Sequence, residues 1–341
     1  MLGKMKPFQP SPFRPSRLVP GGHLQTILSI RAESASGLVP RQHFVEVSEG
    51  DRIVLHEDDR DDLRSDAPCV LFVHGLSGSH ASPYMKRFAM RFLRRGYRVF
   101  RVDMRGCGSG ADLADQLTHA GRSQDVLDAL SHIAAHYPSS DLFAAGVSLG
   151  GAQLLRAVGR IGAGLQKTPD WYSRLRRVAA VAPPVDLMRC SDHMQKLRLR
   201  LYNYYFIRSL LRRLPKRLWD NEAFKREMSR PAPRTLRELD DRFTAPLSGF
   251  RDAIHYYSES SCNRVTREIN VPTLVLASKD DPIVPVGSFQ EEPSQWSDTT
   301  HLLITPHGGH AGYIGRNNQC WMDEVIEHWL VDQPVSLRQS L

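Results

Sequence analysis

The sequence predicts an α/β fold, a mostly parallel central sheet with helices on both faces and a helical cap inserted late in the chain. Three observations carry this reading. Short apolar runs alternate with helix-compatible segments from Cys69 to Ala182 and resume from Pro272 to Leu330, the rhythm of parallel strands joined by helical crossovers. One run, Leu142 to Val147, ends in Gly146-Val147-Ser148-Leu149-Gly150 and a helical segment follows at once, so strand, sharp turn and helix meet at a serine. Between residues 187 and 265 strand-like runs cease and helical spacing takes over.

Taken in order, the first 40 residues hold Pro7, Pro10, Pro12, Pro15, Pro20 and Pro40, which predicts an extended arm over the body with one short helix near His23. His43 to Val47 and Arg52 to His56 alternate around Glu49-Gly50-Asp51, the pattern of an antiparallel hairpin. Cys69 to Val73 is apolar throughout, as a strand buried on both faces is. Pro83 to Arg95, with proline at its start and Gly96 past its end, reads as a helix, and Tyr97 to Val102 as the next strand. Gln124 to His136 is amphipathic, with Val126, Leu130, Ile133 and Ala134 inward. Strand Leu142 to Val147, helix Ala152 to Val158 and strand Val178 to Ala182 follow. In the insertion, Leu197, Leu201, Tyr204, Ile207, Leu211, Leu214 and Leu218 step along one helical face. Strands at Pro272 to Ala277 and Leu302 to Thr305 and a helix at Gln319 to Leu330 complete the chain. The expected organisation is an arm over 1–40, a core over 41–186 and 266–341, and a helical cap over 187–265 above the carboxyl ends of the strands, where open α/β sheets put their sites.

A length of 341 residues suffices for a sizeable core, and 41% hydrophobic with 24% charged residues is ordinary globular composition, which excludes a mainly disordered chain and a multi-span membrane protein. No apolar run approaches the roughly 20 residues that cross a bilayer, and Met1 to Pro20 lacks the apolar centre of a signal peptide, so the expected compartment is the cytoplasm. Cys69, Cys107, Cys190, Cys262 and Cys320 are odd in number, widely spaced and free of Cys-x-x-Cys pairs, against both a disulfide framework and a structural zinc site.

The pattern Gly146-x-Ser148-x-Gly150 is a weak signal alone. In a strand-turn-helix setting it reads as a nucleophile elbow, which lifts a serine hydroxyl above the sheet. A serine hydroxyl needs a base to take its proton, and that base needs a carboxylate to orient it. Asp281, in Asp280-Asp281-Pro282, and His310, in Pro306-His307-Gly308-Gly309-His310, each follow a predicted strand, in the order nucleophile, acid, histidine. The expected oxyanion donors are the backbone N–H groups of Leu76, in His74-Gly75-Leu76, and of Leu149. Asp280 is read as a turn-capping residue, and Asp186, after an earlier strand, as an alternative placement of the acid.

Other constellations are weaker. Gly106-Cys107-Gly108-Ser109-Gly110-Ala111 fits a dinucleotide pattern, but no helix clearly begins on it. His132 and His136 are four apart on a helix, as zinc ligands can be, yet Ile133 stands where a zincin has its glutamate, so the pair is read as ordinary helix surface. Neither a metal nor a cofactor is expected. The net charge of +8 by itself selects no partner, because arginine-rich helix faces give the same sum. Arg189, Lys196, Arg198, Arg200, Arg208, Arg212, Arg213, Lys216 and Arg217 face a single acid, Asp192, in the cap; this is read as solvated arginines on a cap helix, with weak association with anionic membrane as the other reading. The expected partner is a small-molecule ester, not nucleic acid, and the sequence assigns no oligomeric state.

Together, Phe13-Arg14-Pro15, His23-Leu24-Gln25-Thr26, His74-Gly75-Leu76-Ser77-Gly78-Ser79, Ser82-Pro83-Tyr84, Arg105-Gly106-Cys107, Gly146 to Gly151, Lys279-Asp280-Asp281-Pro282 and Gly308-Gly309-His310 resemble the YheT-like branch of the α/β-hydrolases. The His-Leu-Gln-Thr and Arg-Gly-Cys segments are specific to that branch, whereas the triad motifs belong to the wider superfamily. The resemblance implies a serine carboxylesterase or lipid-ester hydrolase with its triad on Ser148, Asp281 and His310. It also implies eukaryotic relatives often held to membranes by an N-terminal anchor; the expectation for this chain is the soluble bacterial form without one. A hydrolase-fold module that binds a lipid or protein partner without turnover is the rival reading, and the complete set of three catalytic residue types argues against it.

Overall fold

A computed structural model describes residues 8–31, 37–220, 222–291, 295–316 and 319–331. Its centre is an eight-stranded sheet of order β1-β2-β4-β3-β5-β6-β7-β8, formed by β1 (Arg41–Glu46), β2 (Arg52–Asp58), β3 (Cys69–Val73), β4 (Arg98–Asp103), β5 (Leu142–Val147), β6 (Leu175–Val181), β7 (Thr273–Ser278) and β8 (Thr300–Thr305). The β1–β2 and β2–β4 pairs are antiparallel and every later pair is parallel. Every residue of β3, β5 and β7 is buried, which explains why those strands read as unbroken apolar runs. The hairpin turn is where its motif placed it, with Glu49 at φ 66° and Gly50 at φ 76°.

The crossovers are α2 (Pro83–Arg94), α3 (Ser123–His136) and α4 (Leu149–Gly162), preceded by α1 (Gly21–Arg31) from the arm. Strand side chains alternate between two cores. Leu71 and Val73 pack with Leu130 of α3 and Leu154 and Val158 of α4, while Val70 and Phe72 pack with Phe88 and Phe92 of α2 and with the last helix. Helix α4 begins at Leu149, three residues before the Ala152 expected from sequence. The glycines that weaken helical propensity there are demanded by close backbone approach instead.

Between β6 and β7 the described residues contain helices and no strand: α5 (Leu187–Met194), α6 (Arg200–Leu211), α7 (Glu222–Met228), then α8 (Leu236–Leu239) running through a π-helical turn into α9 (Ala245–Leu247), and α10 (Ala253–Ser260). The apolar stripe expected from Leu197 to Leu218 is corrected here, because it is not one continuous helical face. Helix α6 stops at Leu211, and Leu197 and Leu201 are 79% and 81% exposed; the later part turns inward, with Ile207 buried against Phe224, Leu239 and Phe243 and Leu211, Leu214 and Leu218 packed on that cluster. The side chains of Lys216 and Arg217 lie outside the described residues. A short α11 (Gly287–Gln290), unforeseen, links β7 to β8, and α12 (Trp321–Val331) closes the fold. The arm drapes over α12: Phe8 meets Trp329 edge-on at 5.2 Å, and the Trp321 indole N–H donates to the Ser11 carbonyl at 2.8 Å. All five cysteines are free thiols. No helix among the described residues is long and apolar enough to cross a membrane.

Candidate active site

Ser148 sits between β5 and α4 at φ 53°, ψ −120°, a conformation that a non-glycine residue adopts only when its surroundings impose it. Its N–H donates to the Val181 carbonyl at 2.8 Å, pinning the elbow to the neighbouring strand. The flanking glycines are steric requirements. A Cβ on Gly146 would come 2.4 Å from the Gly150 carbonyl oxygen, and one on Gly150 would come 2.5 Å from that of Val73.

The loops after β7 and β8 bring Asp281 and His310 to the serine. Asp281 Oδ2 lies 2.9 Å from His310 Nδ1, and His310 Nε2 lies 2.8 Å from Ser148 Oγ. An ionised carboxylate can only accept, so the imidazole proton resides on Nδ1 and Nε2 accepts the serine hydroxyl. Asp281 Oδ1 is occupied separately, accepting the N–H groups of Ile283 at 2.7 Å and Val284 at 3.0 Å, which fixes the carboxylate plane. Asp280 points elsewhere. Its Oδ1 accepts from the Gly309 N–H at 2.9 Å and from the Ser278 hydroxyl at 3.1 Å, so it fastens the histidine loop as well as its own turn. Asp186 is engaged as the N-cap of α5, accepting the Arg189 N–H at 3.0 Å.

The arm takes a part in this site that the sequence did not disclose. Thr26 of α1 accepts the His310 N–H at 2.8 Å, and the Gln25 side chain, fully buried, accepts the Ile314 N–H at 2.7 Å while donating to the carbonyls of Val19 and Ile314. Contact is close enough that a Cβ on Gly22 would come 1.8 Å from the Asp280 carbonyl oxygen. The His-Leu-Gln-Thr segment therefore grips the loop from Gly308 to Ile314, in which Ala311 and Tyr313 are held at φ 57° and 47°. Gln25 and Thr26, polar residues in a short helix, were the available signal, but nothing local says what they grip.

Leu76 lies in the turn after β3, with Ser77 at φ 62°. No hydrogen bond occupies the N–H of Leu76 or of Leu149 among the described residues. The turn is built from behind. His74, whose burial lowers its pKa, donates from Nδ1 to the Gly75 carbonyl at 2.8 Å and accepts the Met104 N–H on Nε2 at 3.2 Å. The Gly75 N–H donates to the Tyr84 hydroxyl at 2.9 Å, and burial pushes that phenol up to about 12. From the insertion, Arg213 donates to the carbonyls of Ser77 at 2.7 Å and Gly78 at 3.1 Å. This corrects the reading of Arg213 as a solvated surface arginine: two carbonyl oxygens drawn into reach by the turn hold its guanidinium inward.

Two apolar lobes of about 160 and 130 Å³ meet at Ser148, Leu76, Phe206 and Ile283. One runs past Tyr84 and Tyr205, the other past Leu187, Leu210, Tyr256 and Val284 under the insertion. The second also holds His119, whose pKa burial lowers to about 3, and Asp240, whose carboxyl burial raises to about 6 although it accepts the Tyr257 hydroxyl at 2.7 Å.

Residues 68–316 match the family model of the alpha/beta hydrolase fold. The chain belongs to the α/β-hydrolase fold family. It is 28% identical over 328 residues to YheT of Escherichia coli (strain K12), covering 93% of this chain and 92% of that protein. Phospholipase ABHD3 of Bos taurus is 28% identical over 318 residues, 90% of this chain and 75% of that one. Among solved structures, the Pyrococcus furiosus esterase Pf2001 superposes with a TM-score of 0.53 at 15% identity over 87% of this chain and 99% of its own, a likeness of fold.

Proposed function

We propose that this hydrolase cleaves esters through an acyl-enzyme on Ser148, with His310 as general base and then acid, and Asp281 as the carboxylate that orients the imidazole. The observation that carries the reading is the unbroken chain from Ser148 Oγ to His310 (2.8 Å) to Asp281 (2.9 Å), ending where two apolar lobes meet. The hydroxyl passes its proton to Nε2 as Oγ attacks the ester carbonyl. Negative charge then collects on the carbonyl oxygen, and the N–H groups of Leu76 and Leu149, which carry no other partner among the described residues, are the donors for it. Collapse expels the alcohol, which leaves with the proton from Nε2. Water, deprotonated by the same nitrogen, then attacks the acyl group and restores the serine.

Both lobes are apolar, so the substrate has an apolar group on each side of the scissile bond, as a lipid-derived ester has. Organisation into an arm, a core and a cap over 187–265 is part of the proposal, the cap roofing the second lobe. The basic stretch of the cap is proposed to meet anionic membrane: Leu197, Leu201 and Tyr204 are exposed there in the company of Arg198, Arg200, Arg208 and Arg212.

Fluorophosphonate labelling tests the mechanism. One adduct per chain on Ser148 is expected, absent in Ser148→Ala, whose kcat should fall on the order of 10⁴- to 10⁶-fold with the fold intact. A purified chain that takes no label and turns over no ester, from acetate to laurate, belongs instead to a binding module without turnover.

A further inference from the structure

Outside the ester site, two groups of three potential metal ligands occur among the described residues, His43 with His132 and His136, and His56 with His80 and Asp103. Their geometries differ. In the second, a single oxygen, Asp103 Oδ2, accepts from His56 Nε2 at 2.9 Å, His80 Nδ1 at 2.7 Å and the Ser109 N–H at 2.8 Å, and the two imidazoles stack at 3.5 Å and 11°. The carboxylate oxygen already has three donors, and both of these imidazole nitrogens are spent on it. This is a closed hydrogen-bonded knot.

The first group is open to solvent at His136, and its His132 and His136 rings lie 4.1 Å apart, tilted by 30°. His132 and His136 lie one turn apart on α3, and β1 brings His43 against both, its ring meeting theirs edge-on at 78° and 87°. One nitrogen from each residue lies within 4.8 Å of the other two. His43 Nδ1 and His132 Nε2 are 3.2 Å apart. Two nitrogens bound tetrahedrally to one zinc at about 2.0–2.1 Å are separated by about 3.3 Å. Two of the remaining ring nitrogens have the partners an outer shell supplies. His43 Nε2–H donates to Glu57 Oε2 at 2.6 Å, and His136 Nδ1–H donates to the His132 carbonyl at 2.9 Å, which leaves His136 Nε2 to ligate. Glu57, buried and held by Arg41 and Tyr137, orients His43 and is not itself available to a metal.

We propose that His43 Nδ1, His132 Nε2 and His136 Nε2 form a zinc site, completed by water on the exposed side of His136, that staples strand β1 to helix α3. Three neutral imidazoles and a water suit zinc and disfavour magnesium or calcium, which take oxygen donors. Zinc takes the place of the proton shared by His43 and His132, and His132 passes to its Nδ1–H tautomer. The sequence reading of His132 and His136 as plain helix surface lacked the third ligand, which arrives from a strand 89 residues upstream of His132. Because β1 and β8 are the opposite ends of the sheet order, the staple acts on stability and not on the ester reaction.

The test uses the full chain, stripped with a chelator and dialysed at neutral pH against zinc, with affinity read by a competing chromophoric chelator and geometry by the visible bands of a cobalt(II) replacement. One zinc per chain, a tetrahedral cobalt spectrum and a melting temperature raised by zinc are expected. His136→Gln, an exposed change that leaves the apo fold alone, and His43→Gln should each weaken binding on the order of 100-fold. Glu57→Gln should weaken it roughly 10- to 100-fold, and His80→Gln not at all. A wild-type chain that retains no zinc, or affinity unchanged in both His136→Gln and His43→Gln, overturns the site. Binding abolished only by His80→Gln assigns the metal to the other group and overturns it equally.

Discussion

The hydroxyl oxygen of Thr26 accepts the backbone N–H of His310 at 2.8 Å across 284 residues of sequence. The same hydroxyl donates to the Gly22 carbonyl at 2.7 Å, so the loop that holds the imidazole is fastened to a helix of the arm, outside both the sheet and the insertion. The geometry at Ser148 thus depends on a segment remote from every catalytic motif. Thr26→Val keeps shape and removes the oxygen, leaving a partly buried N–H without its partner at a cost of about 1 kcal/mol. The expected outcome is kcat reduced by roughly 10- to 100-fold at nearly unchanged KM, with Thr26→Ser restoring it. Wild-type kcat in Thr26→Val would show that the loop holds the imidazole without the arm.

The adjacent aspartates should separate cleanly. Asp281→Asn presents an amide to His310 Nδ1 and favours the wrong tautomer, so kcat should fall by roughly 10⁴. In Asp280→Asn the amide oxygen still accepts the Gly309 N–H, and a stability cost of about 1 kcal/mol or less is expected with kcat little changed. Asp186→Asn keeps its cap on α5 and should leave kcat alone. Kinetics of the three variants on one activated ester decide the matter, and a dead Asp280 or Asp186 variant reassigns the acid.

Asp240 gives the protein a pH dependence with a definite sign. Burial raises its pKa from 3.8 to about 6, so burying this carboxyl costs nothing extra while it is protonated in both states, below about pH 4. That stability is lost as pH rises through about 6, because the folded state must then carry a buried charge. Asp240→Asn should stabilise the chain by about 1–2 kcal/mol at about pH 7.5 and be neutral near pH 4, the gain being moderated because the carboxyl lines a lobe. Urea unfolding at the two pH values measures it, and an equal effect at both would remove the charge from the explanation.

If the exposed leucines and arginines of α6 and the turn before it meet anionic lipid, vesicles containing phosphatidylserine should sediment the protein and neutral vesicles should not. The difference should shrink as salt takes the Debye length below about 8 Å. Leu201→Asp, at a position 81% exposed, should abolish sedimentation while sparing hydrolysis of a soluble ester. Equal recovery with both vesicle types leaves the arginines merely solvated.

What the sequence determined alone is local. The runs at Cys69–Val73, Leu142–Val147 and Pro272–Ala277 announce buried strands because burial on two faces leaves no polar alternation, and Gly146 and Gly150 announce the elbow because any Cβ there meets backbone. The order of Ser148, Asp281 and His310 could likewise be read, since each follows a strand. Only the tertiary structure decided what Gln25 and Thr26 grip, that Arg213 turns inward to Ser77 and Gly78, and that His43 joins His132 and His136. Those facts are contacts between residues far apart in sequence. They depend on strand order, register and loop path, which hydrophobic periodicity does not encode, because a side chain's spacing along its own element sets the face it occupies but not the neighbour it finds there.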